Sequence, residues 1–139
     1  MPPYWLANLM DNWIHTHCAE VAFADTDASG WMHFPTIFRH IEAAEHACLS
    51  KLGVLVFDRA EGGWPRVNLN TDFKRPLMAG DSIKVHLRIA KLGKSSIVWA
   101  YEVINGNGEV AVSGSMTNVR VDATGAKQPI SDEERNKLS

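Results

Sequence analysis

Between Thr36 and about Lys51 the chain carries apolar residues at three- and four-residue steps: Ile37, Phe38, Ile41, Ala44, Cys48, Leu49 and Leu52. This is the one long stretch of helical period, and it limits the folds open to the chain. Pro35 falls in the first turn, where its missing N–H would be unpaired anyway. Gly53 follows as a C-cap. The helix predicted from this pattern runs about 24 Å, and its apolar face needs a cover.

The cover is written after Pro65, where the period changes to two. Val67, Leu69, Thr71 and Phe73 alternate with Arg66, Asn68, Asn70 and Asp72. Ile83, Val85, Leu87 and Ile89 alternate with Lys84, His86 and Arg88, and Ile97, Trp99, Tyr101 and Val103 form a third set. Asn105–Gly108 reads NGNG, a hairpin signal, because Asn and Gly accept positive φ. A last strand is expected over Glu109 to Val121. Before the helix, His17, Ala19, Val21 and Phe23 share one face against Cys18, Glu20 and Ala22, which predicts a strand over His15 to Phe23. Ser131 with Glu134 is a capping box for a short terminal helix. The expectation is α+β: one long helix on one face of a five-stranded antiparallel sheet. With no repeat, low-complexity block or linker, residues 1–139 read as a single domain.

Composition excludes several classes. The formal net charge is −2 and the Lys and Arg are scattered, so the basic footprint of a nucleic-acid binder is absent. No apolar run is long enough to span a bilayer. The leader, MPPYWLANLMDNWIHTH, lacks the basic and continuous apolar regions of a signal peptide. Cys18 and Cys48 form neither a metal-ligand spacing nor a disulfide framework. A cytoplasmic location is expected.

The chemistry concentrates in ADTDASGWMHFP, Ala24 to Pro35. With Asp25 as position 1 of a calcium loop, Asp27, Ser29 and Gly30 fit positions 3, 5 and 6. Position 12 needs a bidentate Glu and is Thr36, and a strand stands where the entering helix should be. The calcium reading fails. Two others are open. The aspartates can hold a turn by accepting backbone hydrogen bonds. Alternatively, a carboxylate just before a helix N-terminus can attack a carbonyl or activate water, while the unpaired helix N–H groups receive the oxyanion.

The segment FADTDASGWMHFPTIFRHIEAAEHACLSKLG resembles the signature of the 4-hydroxybenzoyl-CoA thioesterase family. That signature joins D-x-D, a small residue, Gly, bulky residues and a helix ending near Leu-Gly. The resemblance continues through PRVNLNTDFKRPLMAGDSIKVHLRIAKLGKSSI and covers about residues 17 to 122. It implies the hotdog fold, a long central helix wrapped by a five-stranded sheet. It also implies an acyl-CoA thioesterase that cleaves a CoA ester to acid and free CoA with no metal or redox cofactor.

Carried over by position, the second aspartate of D-x-D is Asp27, the catalytic carboxylate, acting as nucleophile or as general base. The residue seven later is Phe34, whose backbone amide polarises the thioester carbonyl. Part of the family has a histidine there; here the histidine stands one residue early, at His33. The basic loop of the family falls on Lys94, with Lys91 nearby, as cations for the CoA phosphates. Trp31 is a candidate wall for the acyl group, and Asn70, Lys74 and Arg75 are further candidates for the pocket or the CoA channel. Glu42 and Glu45 occupy the helix that carries the base in another thioesterase branch, although Glu42 with His46 also reads as a surface i, i+4 pair. His15 and His17 have no ligands at zinc spacing. The remaining tryptophans, Trp5, Trp13, Trp64 and Trp99, read as core or lining. Family members pair sheet edges into dimers that pack into tetramers, so a homodimer or homotetramer with sites between subunits is implied. A non-catalytic acyl-CoA-binding module and a purely structural interaction domain are the alternatives.

Overall fold

The computed structural model describes residues 12–139; the leader as far as residue 11, with Trp5, lies outside the described residues. The first strand, β1, is His15–Glu20. A 3-10 turn at Phe23–Asp25 and another at Phe34–Thr36 lead into α1, Ile37–Leu52. Pro35 sits inside that second turn, and Gly53 ends α1 with φ 77°, the left-handed conformation that a C-cap glycine adopts without a Cβ penalty. Two-residue strands β2, Phe57–Asp58, and β3, Gly62–Gly63, form a small hairpin in the connection that follows. The long strands are β4, Arg66–Phe73, β5, Ser82–Leu92, β6, Ser96–Ile104, and β7, Val110–Val119. A terminal helix, α2, spans Asp132–Leu138 and begins with the expected Ser131–Glu134 capping box.

The five main strands form one antiparallel sheet in the order β1-β5-β6-β7-β4. Its inner face carries Ile83, Val85, Leu87, Ile97, Trp99, Tyr101, Val103, Val112 and Met116, all buried. Against them α1 sets Ile37, Ile41, Ala44, Cys48 and Leu49. The side-chain period of two on the sheet and the three- and four-residue steps on the helix meet at this single core.

Both ends of the sheet are edge strands among the described residues, and β1 pairs with β5 alone. β4 pairs with β7 alone, so its other edge has no strand partner among the described residues. A bulge between Arg66 and Asn68 interrupts its register, and Val67, Leu69 and Phe73 are exposed. The strand is nevertheless tied across β7 to β6: the Tyr101 hydroxyl hydrogen-bonds Thr71 Oγ1 in the space left by Gly114. A Cβ at Gly114 would stand 2.1 Å from the Asn70 carbonyl oxygen and 2.9 Å from Tyr101 Oη.

Two expectations change. The alternation through Phe23 does not continue as strand: β1 stops at Glu20, and Phe23 is exposed at the start of a 3-10 turn. The cause is Asp25, whose carboxylate accepts from the Ala22 amide and curls the chain. Nor do Glu42 and His46 pair. Glu42 reaches Arg66 at 3.2 Å, and His46 lies 4.0 Å from Glu45. Arg66 also bonds Glu45, which is buried on the inner side of α1.

Candidate active site

The turn after β1 is a small hairpin of its own. The Asp27 amide donates to Trp31 O at 3.1 Å, and the Gly30 amide donates to Asp27 O at 3.0 Å. Gly30 takes φ 83°. The hairpin is pinned to the connection before β5 by the Met32 amide, which donates to Leu77 O at 2.6 Å.

Within this turn the Asp27 carboxylate is half-exposed. Its Oδ1 accepts from Ser29 N at 2.9 Å and from Ser29 Oγ at 2.5 Å. Its Oδ2 faces His33 Nδ1 at 3.5 Å. The Ser29 hydroxyl and amide, and then His33, hold the Asp27 carboxyl below its ordinary value, so the group is a carboxylate at neutral pH. One oxygen is tethered; the other is open toward solvent and His33.

Seven residues on, Phe34 begins the 3-10 turn that feeds α1. Its neighbour His33 donates to Asp25 O at 2.7 Å, and Thr36 N donates back to His33 O at 2.9 Å. The Phe34 N–H itself has no acceptor among the described residues. It is therefore an open donor at the positive end of a sixteen-residue helix, the arrangement that favours an oxyanion.

Beside it lies an apolar pocket of about 320 Å³ walled by Trp31, Met32, Phe34, Phe73, Leu77 and Val112, with Lys74 and Arg75 at its rim. Phe73 meets Phe34 and Phe38 edge-on, with ring centroids 5.9 Å and 6.4 Å apart. Arg75 is engaged by Glu109 at 3.1 Å, whereas the Lys74 ammonium has no ion-pair partner among the described residues. Trp31 forms part of the wall of this pocket. Phe73, Met32 and Leu77 complete the wall, although their spacing in the sequence carries only strand and turn signals.

The structure gathers Asp27, His33, Phe34 and Trp31 into one corner, with Lys74 and Arg75 at the rim of its pocket, and leaves Asn70, Lys91 and Lys94 apart from it. Asn70 pairs with Ser115 on the outer face of the sheet, away from α1. Lys91 and Lys94 lie at the far end of β5 from Ser82, the residue that pairs with Glu20 just before the turn. Along β5 that is about 33 Å at strand rise. Lys94 instead shares a hollow with Lys127, Ser95 and Ser96, and neither ammonium has an ion-pair partner among the described residues. No cluster of three or more His, Cys, Asp or Glu suited to a metal occurs among the described residues, and no described helix is long and apolar enough to cross a membrane.

Known proteins share this architecture. The family model described as "Thioesterase superfamily" matches residues 29–112, beginning just after Asp27. A 1,4-dihydroxy-2-naphthoyl-CoA hydrolase of Nostoc punctiforme is 30% identical over 123 residues, covering 85% of this chain and 82% of its own length. A solved gentisyl-coenzyme A thioesterase is 28% identical with a TM-score of 0.82, covering 89% of this chain and 99% of that one. A 4-hydroxybenzoyl CoA thioesterase structure superposes with a TM-score of 0.82 at 18% identity, covering 89% of this chain and 97% of that one, a likeness of fold. A match over most of the chain's length, joined to a long helix on a five-stranded antiparallel sheet, means that this chain belongs to the thioesterase superfamily and is a thioester hydrolase of hotdog fold.

Proposed function

We propose that the protein hydrolyses an acyl-CoA thioester to the free acid and CoA at the Asp27–Phe34 corner. The observation that carries this reading is the pairing of an ionised carboxylate with an open helix-terminal N–H beside an apolar pocket. The thioester carbonyl oxygen takes the Phe34 N–H. Asp27 Oδ2 then attacks the carbonyl carbon, or removes a proton from an attacking water. In the first route the C–S bond breaks to give an acyl–Asp27 anhydride and CoA thiolate, and water opens the anhydride to two carboxylates. In the second, water gives its proton to Asp27 as it adds to the carbonyl carbon, and the tetrahedral adduct then breaks its C–S bond to release the acid and CoA thiolate, which takes up the proton. His33, 3.5 Å from Oδ2, is placed to protonate the leaving thiolate.

Trp31, Phe34 and Phe73 give the pocket aromatic walls, and the relatives named above act on aryl-CoA esters, so aryl esters lead the substrate panel. Thiol release from aryl, short aliphatic and long aliphatic CoA esters is the direct test. Turnover of at least one ester is expected. Saturable binding without any thiol release would remove the enzymatic reading and leave a binding module. Cys18 and Cys48 are both unpaired, in keeping with a reducing, cytoplasmic compartment.

The assembly is part of the same reading. The open edge of β4, with Val67, Leu69 and Phe73 exposed along it, suits pairing with β4 of a second copy. Antiparallel pairing brings the Lys94 end of the partner's sheet to the Asp27 end of the first. The partner's Lys94, Lys127 hollow then lies about three strand spacings, or 14 Å, beyond the seam, where the phosphates of CoA would meet it. Sedimentation at micromolar concentration should give the mass of at least two chains; a single-chain mass would remove this part of the reading. Lys94→Ala with Lys127→Ala should raise KM for the CoA ester about tenfold while leaving kcat near its original value, the signature of lost uniform binding. An unchanged KM would take the phosphates elsewhere.

A further inference from the structure

Asp25 is 1% exposed, yet it carries a carboxylate in a turn where Ala22 to Ala24 and Asp27 to Gly30 are exposed. Its surroundings explain how it stays there. Oδ2 accepts from the Ala22 amide at 2.9 Å and faces His40 Nε2 at 3.0 Å, and Oδ1 accepts from the Arg39 guanidinium. Burial alone pushes the Asp25 carboxyl up, but the His40 and Ala22 donors and the charge of Arg39 carry it below its ordinary value. Arg39 and His40 are on the first turn of α1, so this one carboxylate joins the end of β1 to the helix.

The backbone of the same residue makes the other half of the junction. Asp25 O accepts from His33 N at 2.7 Å and from Thr36 Oγ1 at 3.0 Å. Asp27 follows Asp25 by two residues, and Phe34 follows the tethered His33 by one. The backbone from Asp27 to Phe34 therefore passes His33 N, which Asp25 O holds, and the side chains of Asp27 and His33 also meet directly at 3.5 Å. None of the bonds made by Asp25 touches the open Oδ2 of Asp27 or the open N–H of Phe34.

We propose that Asp25, clamped by Arg39 and His40, is the positioning residue that sets the distance between the Asp27 carboxylate and the Phe34 oxyanion donor. This rests on the thioesterase reading of that corner. Its consequence is specific: loss of the clamp lowers kcat and spares KM, because the CoA moiety and the apolar pocket are bound by other residues. A misplacement on the order of 1 Å between reacting groups costs about 100-fold in rate.

The test uses Asp25→Asn, His40→Leu and His40→Gln in the full chain, with the folded fraction of each measured by circular dichroism. Asp25→Asn should lower kcat per folded molecule about 10- to 100-fold. KM should stay within about threefold, since binding contacts are intact. His40→Leu should follow it, while His40→Gln, which keeps an N–H donor, should lose distinctly less. The Phe34 amide resonance in a ¹H–¹⁵N spectrum, which needs no turnover, should move in Asp25→Asn and His40→Leu. Wild-type kcat in Asp25→Asn, equal losses in the two His40 variants, or an unmoved Phe34 amide would each overturn the proposal. Failure of the wild type to cleave any ester would instead strike the thioesterase reading, and the amide resonance would still decide whether Asp25 sets the geometry.

Discussion

Asp27→Asn is expected to lower kcat by on the order of 10³ while KM stays close to that of the wild type, the outcome for loss of a general base or nucleophile without a change of shape. The substitution keeps the volume of the side chain and an oxygen for the two Ser29 donors, so the turn is retained. What disappears is the negative charge that the Ser29 bonds and His33 stabilise. The residual rate is the contribution of the Phe34 amide and of binding alone. Thiol release measured for both proteins on the best ester of the panel decides the matter: near-equal kcat values would remove Asp27 from the chemistry and return it to the role of a turn former. Where the wild type is active, turnover in ¹⁸O water tests for the anhydride. Solvent oxygen found in the Asp27 carboxylate requires an anhydride opened at the Asp27 carbonyl, whereas water attack at the acyl carbon, on the anhydride or on the thioester, places it in the product acid alone.

The second large effect is on stability and lies on the other side of α1. Glu45 is 2% exposed, and its carboxylate is met by Arg66, with Asn118 Nδ2 at 3.4 Å. Burial raises its pKa, and the guanidinium opposes that rise. Arg66→Met keeps the aliphatic volume near Met116 but leaves a buried carboxylate without its cation, which costs about 3 kcal/mol. The pH dependence follows from the raised folded-state value. A carboxyl whose pKa is higher in the folded chain than in the unfolded one favours folding while protonated, and that advantage is lost as pH rises through the folded value. The penalty in Arg66→Met is therefore largest at neutral and alkaline pH and shrinks toward about pH 4 to 5, where glutamic acid protonates. Urea unfolding at several pH values measures it. Adding Glu45→Leu to Arg66→Met should recover most of the loss, because the pair is then replaced by apolar groups. An equal penalty at all pH values would assign the effect to packing rather than to charge.

The contrast between these sites shows what a sequence can display. The extent of α1 is legible because Pro35, the apolar steps from Ile37 to Leu52, and Gly53 are all local signals that agree. The same is true of the Ser131 capping box and the NGNG turn. Asp27 and Phe34 are also local, seven residues apart on one turn, so a short motif suffices to pair them. The role of Asp25 is not legible, because it depends on Arg39 and His40 being folded back over it; without them the alternation through Phe23 reads as strand. Arg66 and Glu45 are 21 residues apart, and nothing in either neighbourhood announces the pair. The basic segment at Lys91 and Lys94 is plain in the sequence, but its place is not. The sheet order β1-β5-β6-β7-β4 sends it to the end opposite Asp27 within one chain.

Gly30 gives the turn one more property. At φ 83° a Cβ on this residue would meet nothing within 4 Å, so the site rejects no volume. What it rejects is a hand: an L side chain is strained at this backbone angle by roughly 1 kcal/mol, whereas the mirror-image residue is at ease there. A D-alanine introduced by chemical ligation would thus restrict the unfolded chain without straining the folded turn. In this corner of the fold chirality, rather than size, is the selective constraint.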